Sequence, residues 1–345
     1  MQFSSTQLPI WRVACCRFAV QCGVLSLIAW AALFEATLRP ASATGLSAIA
    51  APPITAISPT AIEQSAKKSA SRSVTRSANL DTDWNSNQTS VRTNATAIAA
   101  GNDSALGKMA DASVVYLGET HNSKADHAAQ LEIIEALSAQ NDIAIALEMF
   151  QRPFQPVLDA YLAGEITEAE LVAQSEYETR WGFDWEFYAP IVRYAQNNQI
   201  PLIALNTPSE ITRQVASEGL ESLNGQDFQF VPSIDEIDLS NQAYRELLQT
   251  VFSAHGAHGN SDGFENFFAA QVLWDETMAD GVARQLSAEP DRQIVAIVGE
   301  GHVGYGHGIP DRVRRRLPSV EQVSVQFLEA NEQSEPDFAD LSWQL

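Results

Sequence analysis

The sequence lacks cysteine beyond residue 22. Its three cysteines, Cys15, Cys16 and Cys22, all lie within one apolar N-terminal stretch. A chain that has lost this stretch has no disulfide, no thiolate nucleophile and no cysteine–metal site. Basic residues are also few, because 21 Lys and Arg stand against 43 Asp and Glu and give a net charge of −22. Such a charge repels phosphate backbones, so we expect no binding to nucleic acid.

A common nucleotide-binding motif and a common zinc-binding motif are missing as well. The sequence contains neither a P-loop nor a His-Glu-x-x-His motif, so it gives no support to an NTPase or a zincin. One Gly-x-Gly-x-x-Gly pattern does occur, at Gly299, Gly301 and Gly304. Further glycines and Pro310 follow it, where a dinucleotide-binding fold would open a helix at once. We therefore expect no dinucleotide cofactor.

The N-terminus has the order of a secretory signal. Arg12 and Arg17 precede the apolar residues 18–34, and an Ala-Ser-Ala sequence follows at 41–43. This order predicts a cleaved signal peptide over residues 1–43, and hence export to the periplasm or the outside of the cell. The alternative is that the apolar run is not cleaved and anchors the chain in a membrane, because its length approaches that of a membrane span.

Composition divides the remainder of the chain. Residues 44–105 are rich in Ala, Ser and Thr, have few aromatic residues and show no sustained periodicity, which predicts a disordered linker. Residues 106–332 are predicted to form the folded domain, and residues 333–345 an acidic tail. Within the domain, residues 150–200 and 240–288 have helical patterns too long for a single crossover, so we interpret them as helical insertions.

Short apolar runs alternate with amphipathic ones through the domain. The runs that predict strands are residues 113–118, 142–148, 201–206, 293–300 and 320–329. A helix is predicted over residues 124–140, with Asn122 or Ser123 as its N-terminal cap, and a second helix over residues 208–220. Strands that are apolar throughout are typical of a parallel sheet that is covered on both faces. The predicted fold class is therefore α/β: a mostly parallel sheet flanked by helices, with a helical subdomain over the carboxyl ends of the strands.

Polar residues follow four of the predicted strands directly. The stretch "VVYLGETH" ends one strand and "IVAIVGEGH" ends another, so that two strands close in Gly-Glu-x-His. Ligands of open parallel sheets bind beyond the carboxyl ends of the strands. His and Glu are both acid–base groups and metal ligands. The candidate catalytic residues are Glu119, His121, Glu148, Glu300 and His302, and the candidates for holding a divalent metal are Glu119, His121, Glu148 and His302.

Four further polar residues are candidates for binding a cofactor. Asn206 ends the third predicted strand, and His127 lies in the first turn of the helix that follows His121. Tyr305 and His307 lie in the glycine-rich loop after the second Gly-Glu-x-His. A phenol or an imidazole can ligate iron, but each of these side chains can equally line a turn or face solvent.

Three other features have a simple structural interpretation beside a functional one. His255 and His258 have the spacing of metal ligands, but the glycines around them favour a mobile loop. The basic run 312–316 is either a solvated helix or a dock for the carboxylates of a ligand. Gln271 and Asp275 lie four residues apart on one predicted helix face, as a crevice wall or a buried pair.

Taken together, six stretches resemble the ChaN-like family of iron-regulated haem-binding proteins. They are VVYLGETHNSKADH, IALEMFQR, WGFDWEFYAPIVRYA, IPLIALN, AAQVLWDETMA and IVGEGHVGYGHGIP. The resemblance spans roughly residues 112–330. The ChaN-like family belongs to a wider group together with the Tiki proteins, the TraB proteins and the erythromycin esterases. The two Gly-x-x-His motifs and the acidic residue of that group fall on Gly118–His121, Glu148 and Gly299–His302.

The resemblance implies haem as cofactor, a role in haem or iron uptake or handling, and a homodimer as one possible assembly. Members of the family are described as lipoproteins, whereas no lipobox precedes Cys22 here. Two functions remain open: an exported carrier of haem or an iron compound, and a metal-dependent hydrolase that uses the doubled Gly-Glu-x-His. Whether the protein is an enzyme is therefore left open.

Overall fold

The computed structural model describes residues 98–254 and 261–345. The predicted signal peptide, most of the predicted linker, and the pair His255 and His258 lie outside these residues. Within the part that is described, no helix has both the length and the apolar character needed to span a membrane.

One six-stranded sheet forms the centre of the described residues. Its strands are β1 (Val114–Glu119), β2 (Ile143–Gln151), β3 (Leu202–Asn206), β4 (Gln293–Gly299), β5 (Gln322–Leu328) and β6 (Leu341–Gln344). They lie in the order β3-β2-β4-β1-β5-β6, and every pairing between neighbours is parallel. Every residue of β1, β2 and β4 is buried, because helices cover both faces. The predicted parallel α/β fold is confirmed.

Ten α-helices lie in the described ranges. They are α1 (98–111), α2 (Lys124–Ser138), α3 (Gln155–Leu162), α4 (Glu168–Gln174), α5 (Tyr177–Arg180), α6 (Trp185–Asn198), α7 (Ser209–Glu218), α8 (Gln242–Ala254), α9 (Ser261–Ala288) and α10 (Ile309–Arg316). Alternate residues of a strand face opposite sides of the sheet. Val115 and Leu117 accordingly share a core with α2 and α6, whereas Val114 and Tyr116 share one with α9 and α10.

The two predicted helical insertions both contribute to these layers. The first contains four α-helices, α3 to α6. Ile191 and Val192 of α6 pack in the core of one face, and Met278 and Val282 of α9 pack in the core of the other. Other residues of the same two helices reach the carboxyl ends of the strands, so both helices serve the core and the site.

The fold begins earlier than the sequence predicted. Helix α1 starts at or before residue 98, inside the predicted linker, and its Ala105 and Met109 are buried in the core. The described part of the predicted linker, residues 98–105, lies within this helix, and its small residues show no apolar periodicity from which a helix could be predicted. Ser123 caps α2 by accepting a hydrogen bond from the Asp126 backbone, which decides between the two predicted caps.

The predicted acidic tail contains the sixth strand. β6 pairs in parallel with β5, and its Leu341 and Trp343 are buried. The edge of this strand is closed by one side chain of α1: Asn102 Nδ2 donates to the Gln344 carbonyl (2.9 Å), and the Gln344 N–H donates to Asn102 Oδ1 (3.0 Å). Four residues with only two apolar side chains give too short an alternation to predict a strand.

Candidate functional site

Adjacent strand ends bring the two Gly-Glu-x-His motifs together. β1 and β4 are neighbours, and Glu119 stands opposite Gly299 in their register. Glycine is required at 299 because a Cβ there would lie only 2.8 Å from Cε1 of His121. The imidazole of the first motif therefore passes directly over the backbone of the second.

Glu119 holds His121 in place. The His121 Nδ1–H donates to Glu119 Oε1 (2.8 Å), and the same oxygen accepts the Tyr188 hydroxyl (2.5 Å). Its other oxygen accepts Gln130 Nε2 (2.8 Å). All of these side chains are buried. Both oxygens of Glu119 are thus engaged in orienting its neighbours.

His127 lies behind this group. Its Nε2 contacts the His121 carbonyl (3.0 Å) and its Nδ1 contacts Gln130 Oε1 (3.0 Å), while its ring stacks on Phe187 (5.2 Å between centroids). Both ring nitrogens therefore face oxygen atoms of neighbouring residues. The structure places this predicted cofactor-binding residue as a support for Glu119, whose Oε2 lies 3.5 Å from His127 Nδ1.

The second histidine has a partner that the sequence analysis did not assign to the site. His302 Nδ1 lies 2.6 Å from Asp275 Oδ1, and Asp275 Oδ2 accepts the Tyr244 hydroxyl (2.7 Å). Glu300, a predicted catalytic residue, is half-buried in the turn that follows β4. Each histidine is therefore held through Nδ1 by a buried carboxylate that also accepts a tyrosine hydroxyl, and we call these two groups the histidine–carboxylate pairs.

Glu148 lies between the two pairs. Its Oε2 accepts the Gly299 N–H (2.6 Å), and its Oε1 lies 3.4 Å from Nε2 of His302. Asn206, a predicted cofactor-binding residue, instead donates to the Glu148 backbone carbonyl (2.7 Å). Asn206 therefore fixes the strand end that carries Glu148.

These contacts shift the pKa values of the buried groups in opposite directions. Burial lowers the pKa of His302, but the charge of Glu148 and the hydrogen bond to Asp275 outweigh it and raise the pKa to about 10. His121 behaves in the same way, because burial is outweighed by Glu119 and Glu148, so its pKa is raised. Burial raises the pKa of each glutamate, but hydrogen bonds and the nearby imidazolium charges lower both. The contacts therefore favour the charged forms of both histidines and of both glutamates.

The buried side chains of the two pairs hydrogen-bond within each pair: both Nδ1 atoms and both Glu119 oxygens have partners. Among the described residues, no group of three or more His, Cys, Asp or Glu side chains has an arrangement that could hold a metal ion. The contacts are suited to moving protons between the imidazoles and Glu148.

Aromatic rings cover the two histidines. Trp181 and Phe183 each lie 4.9 Å from the His121 ring, and Trp274 lies 5.1 Å from the His302 ring. Within the described part of the chain, Trp274 Nε1 has no hydrogen-bond partner although it is buried. An indole N–H without a partner beside His302 leaves one donor for a water or a polar ligand.

Tyr305 and His307 lie together on the loop that follows His302. Their ring centroids are 6.1 Å apart, and both side chains are half-buried. The Tyr305 hydroxyl donates to Glu335 Oε2 (2.6 Å). Burial lowers the pKa of His307, so this imidazole is neutral at pH 7 and has a nitrogen lone pair. These two predicted cofactor-binding residues therefore form a more accessible group than the buried pairs.

Three arginines of the basic run 312–316 pair with a carboxylate inside the protein. Arg315 and Arg316 both donate to the fully buried carboxylate of Glu276 (2.7 Å each), and Arg312 Nε lies 3.4 Å from the same carboxylate. These three arginines neutralise an internal charge, whereas Arg314 is exposed, as the prediction of a solvated helix requires. The sequence could not show this, because Glu276 lies on α9 and reaches α10 only through the fold.

The chain is similar in sequence and in fold to known proteins. A family model described as haem-binding uptake, Tiki superfamily, ChaN matches residues 105–313. The fold is similar to that of ChaN of Campylobacter jejuni, a structure described for its cofacial haem binding. The two are 19% identical with a TM-score of 0.54, over 70% of this chain and 90% of that one. RETICULATA-RELATED 5, chloroplastic, of Arabidopsis thaliana is 26% identical over 265 residues, which are 68% of this chain. The chain spans about a third (34%) of the length of that plant protein.

Proposed function

Because the chain belongs to the ChaN family of haem-binding proteins in the Tiki superfamily, we propose that it binds haem through the loop that carries Tyr305 and His307. One observation carries the proposal: a phenol and a neutral imidazole lie 6.1 Å apart, half-buried, three to five residues beyond the strand-end His302. Tyrosine and histidine side chains are both axial ligands of haem iron in proteins.

The chemistry of the available donors favours this loop over the buried pairs. The pKa values of His121 and His302 are raised, which favours the imidazolium form, and an imidazolium has no nitrogen lone pair to offer to iron. His307 has a lowered pKa, because burial disfavours its charged form. When haem is bound, its iron supplies the acceptor, and Tyr305 or His307 supplies the electron pair.

A titration of the purified full-length chain with haemin tests the proposal. We expect a saturable, stoichiometric shift of the Soret band, which Tyr305→Phe or His307→Gln weakens or abolishes. Tyr194→Phe is the matched control, because this tyrosine of α6 is also half-buried, and its hydroxyl contacts the Ser138 hydroxyl (2.8 Å) and not the Tyr305 loop. A chain that shows no saturable shift, or variants that all bind like the wild type, would overturn the assignment.

We propose further that the chain is exported and takes part in haem or iron uptake or handling. The order of charged, apolar and small residues over 1–43 supports export. A mature protein that begins at Thr44 and is recovered from the periplasmic or extracellular fraction is the expected result. Recovery of the intact chain from the membrane fraction would favour an anchor over residues 18–34. Light scattering with and without haemin tests the homodimer.

Hydrolysis at the buried pairs is the second candidate function. The observation that favours it is that two imidazolium groups face one carboxylate, Glu148, an arrangement suited to acid–base catalysis. Under this proposal Glu119→Gln abolishes hydrolysis and leaves haem affinity unchanged. Metal analysis of the same sample tests a metal-dependent version, in which bound zinc or manganese is lost from His121→Ala and His302→Ala. Equal loss of haem affinity in Glu119→Gln would contradict the separation of the two sites.

A further inference from the structure

We infer that a segment near the C-terminus, residues 331–340, is a latch that positions Tyr305 for its ligand. This inference rests on the proposed haem site and adds residues to it, because the latch lies beyond residue 313, where the family match ends. Three contacts carry it: one from the Tyr305 backbone, one from its ring and one from its hydroxyl.

The backbone contact holds a disfavoured conformation. Tyr305 has φ +55°, a left-handed value that residues other than glycine seldom adopt. Such a residue persists only when its surroundings fix it, and it often marks a functional position. The Tyr305 N–H donates to the Phe338 carbonyl (2.8 Å), so the latch supplies the hydrogen bond that this conformation needs.

The ring of Phe338 packs against the same loop. It is buried, and its centroid lies 5.2 Å from that of Tyr305 in an edge-to-face contact at 84°. Gly304 leaves the space for it, because a Cβ at this position would lie 2.8 Å from Cε2 of Phe338. The ring of Phe338 therefore packs closely against two neighbouring residues of the loop, Gly304 and Tyr305.

Glu335 fixes the direction of the phenol. The Tyr305 hydroxyl donates its only hydrogen to Glu335 Oε2 (2.6 Å). The lone pairs of the phenol oxygen then point away from the carboxylate, and an incoming metal ion needs those lone pairs. Glu335 is thus a positioning residue, and it acts through Tyr305.

The latch is itself fastened to the sheet. Asp340 accepts hydrogen bonds from the Ser324 N–H and hydroxyl of β5 (2.8 Å each), and β6 continues from it into the sheet. A segment that is tied at its end to two strands can hold the Tyr305 loop in one position, which a free tail could not do.

Variants of the full-length chain separate positioning from ligation. We expect Glu335→Ala to keep a stoichiometric Soret shift but to weaken haemin affinity about tenfold, the effect of one hydrogen bond to a charged group. Glu335→Gln should restore most of the affinity, because its amide oxygen accepts the same hydrogen bond. Phe338→Ala should weaken affinity and change the Soret line shape. Glu332→Ala is the control within the latch, since the Glu332 side chain accepts a hydrogen bond from the Glu329 N–H (3.1 Å) and not from Tyr305.

A second readout needs no haem. In the protein labelled with ¹³C-tyrosine, the Tyr305 ring resonance, assigned by its loss in Tyr305→Phe, should move in Glu335→Ala and stay near its place in Glu335→Gln and Glu332→Ala. A wild type that binds no haemin contradicts the proposed function, and the resonance still tests the latch. A wild type that binds, with Glu335→Ala and Phe338→Ala unchanged in affinity and resonance, overturns the latch alone.

Discussion

The replacement of Asp275 by Asn offers a direct test of the electrostatics of the site. Asp275 is fully buried, with one oxygen 2.6 Å from His302 Nδ1 and the other accepting the Tyr244 hydroxyl (2.7 Å). Asparagine has nearly the same shape, and its Oδ1 can still accept the His302 hydrogen bond. The change therefore removes the negative charge and leaves the packing nearly intact.

The raised pKa of His302 fixes the sign and the pH range of the effect. The value is about 10 in the folded protein, against 6.5 for an ordinary histidine. A raised pKa contributes stability that is fully present below about pH 6.5 and is lost as the pH rises through about 10. Two unit charges about 4 Å apart attract by about 4 kcal/mol at an effective dielectric constant of 20. Since Glu148 remains, we expect Asp275→Asn to lower the pKa of His302 only part of the way to its ordinary value, and to cost up to about 4 kcal/mol at pH 6.

Urea unfolding of wild type and variant at pH 6 and pH 10.5 measures the loss, and NMR titration of ¹⁵N-histidine measures the pKa. The variant should be clearly less stable at pH 6, and the difference should shrink at pH 10.5. Asp280→Asn is the matched control, because Asp280 is also buried but pairs with Arg152 and Arg284, which stay charged over this range. A loss from Asp275→Asn that is equal at both pH values, or an unmoved His302 titration, would refute the reasoning.

Two further predictions concern single positions. Gly299→Ala should displace the ring of His121 and lower the free energy of unfolding by about 1–3 kcal/mol, measured with urea. Gly301→Ala is the control and should leave this free energy nearly unchanged, because a Cβ at residue 301 has open space. Equal effects of the two changes would show that the contact between His121 and residue 299 is unimportant. Glu276→Gln should lower the free energy of unfolding by about 3–5 kcal/mol, because it leaves buried guanidinium groups without a carboxylate. Arg314→Gln is the control and should change the urea midpoint little, because Arg314 is exposed. A Glu276→Gln variant as stable as the wild type would show that water solvates the arginines.

The strands could be predicted because their environment is uniform. A strand that is buried on both faces must be apolar at every position, so β1, β2 and β4 stand out in the sequence without any alignment. β6 and α1 lack such a signal, because one is four residues long and the other is built from small residues. Their places are decided by tertiary contacts such as those of Asn102 with β6.

The strand ends of the site were predictable for the same reason, but the partners were not. A polar side chain directly after a buried strand must lie at the carboxyl edge, which placed Glu119, His121, Glu148 and His302 correctly in one region. Hydrogen-bond partners that come from helices follow no such rule. Asp275 stood out only as one of two polar residues on one face of α9, with nothing in the sequence to connect it to His302.

The comparison of Glu119 with Glu300 shows why a repeated motif need not mean a repeated role. In the first motif the glutamate bonds to the histidine two residues later, because it is still part of β1. In the second, Gly299 ends the strand and Glu300 begins a turn, so His302 takes its carboxylate from Asp275, 27 residues earlier in the chain. Both histidines nevertheless acquire the same environment, with a buried carboxylate on Nδ1 and a tyrosine hydroxyl behind it. The fold supplies this environment by two different routes, so the shared geometry, more than the shared motif, marks what the site requires.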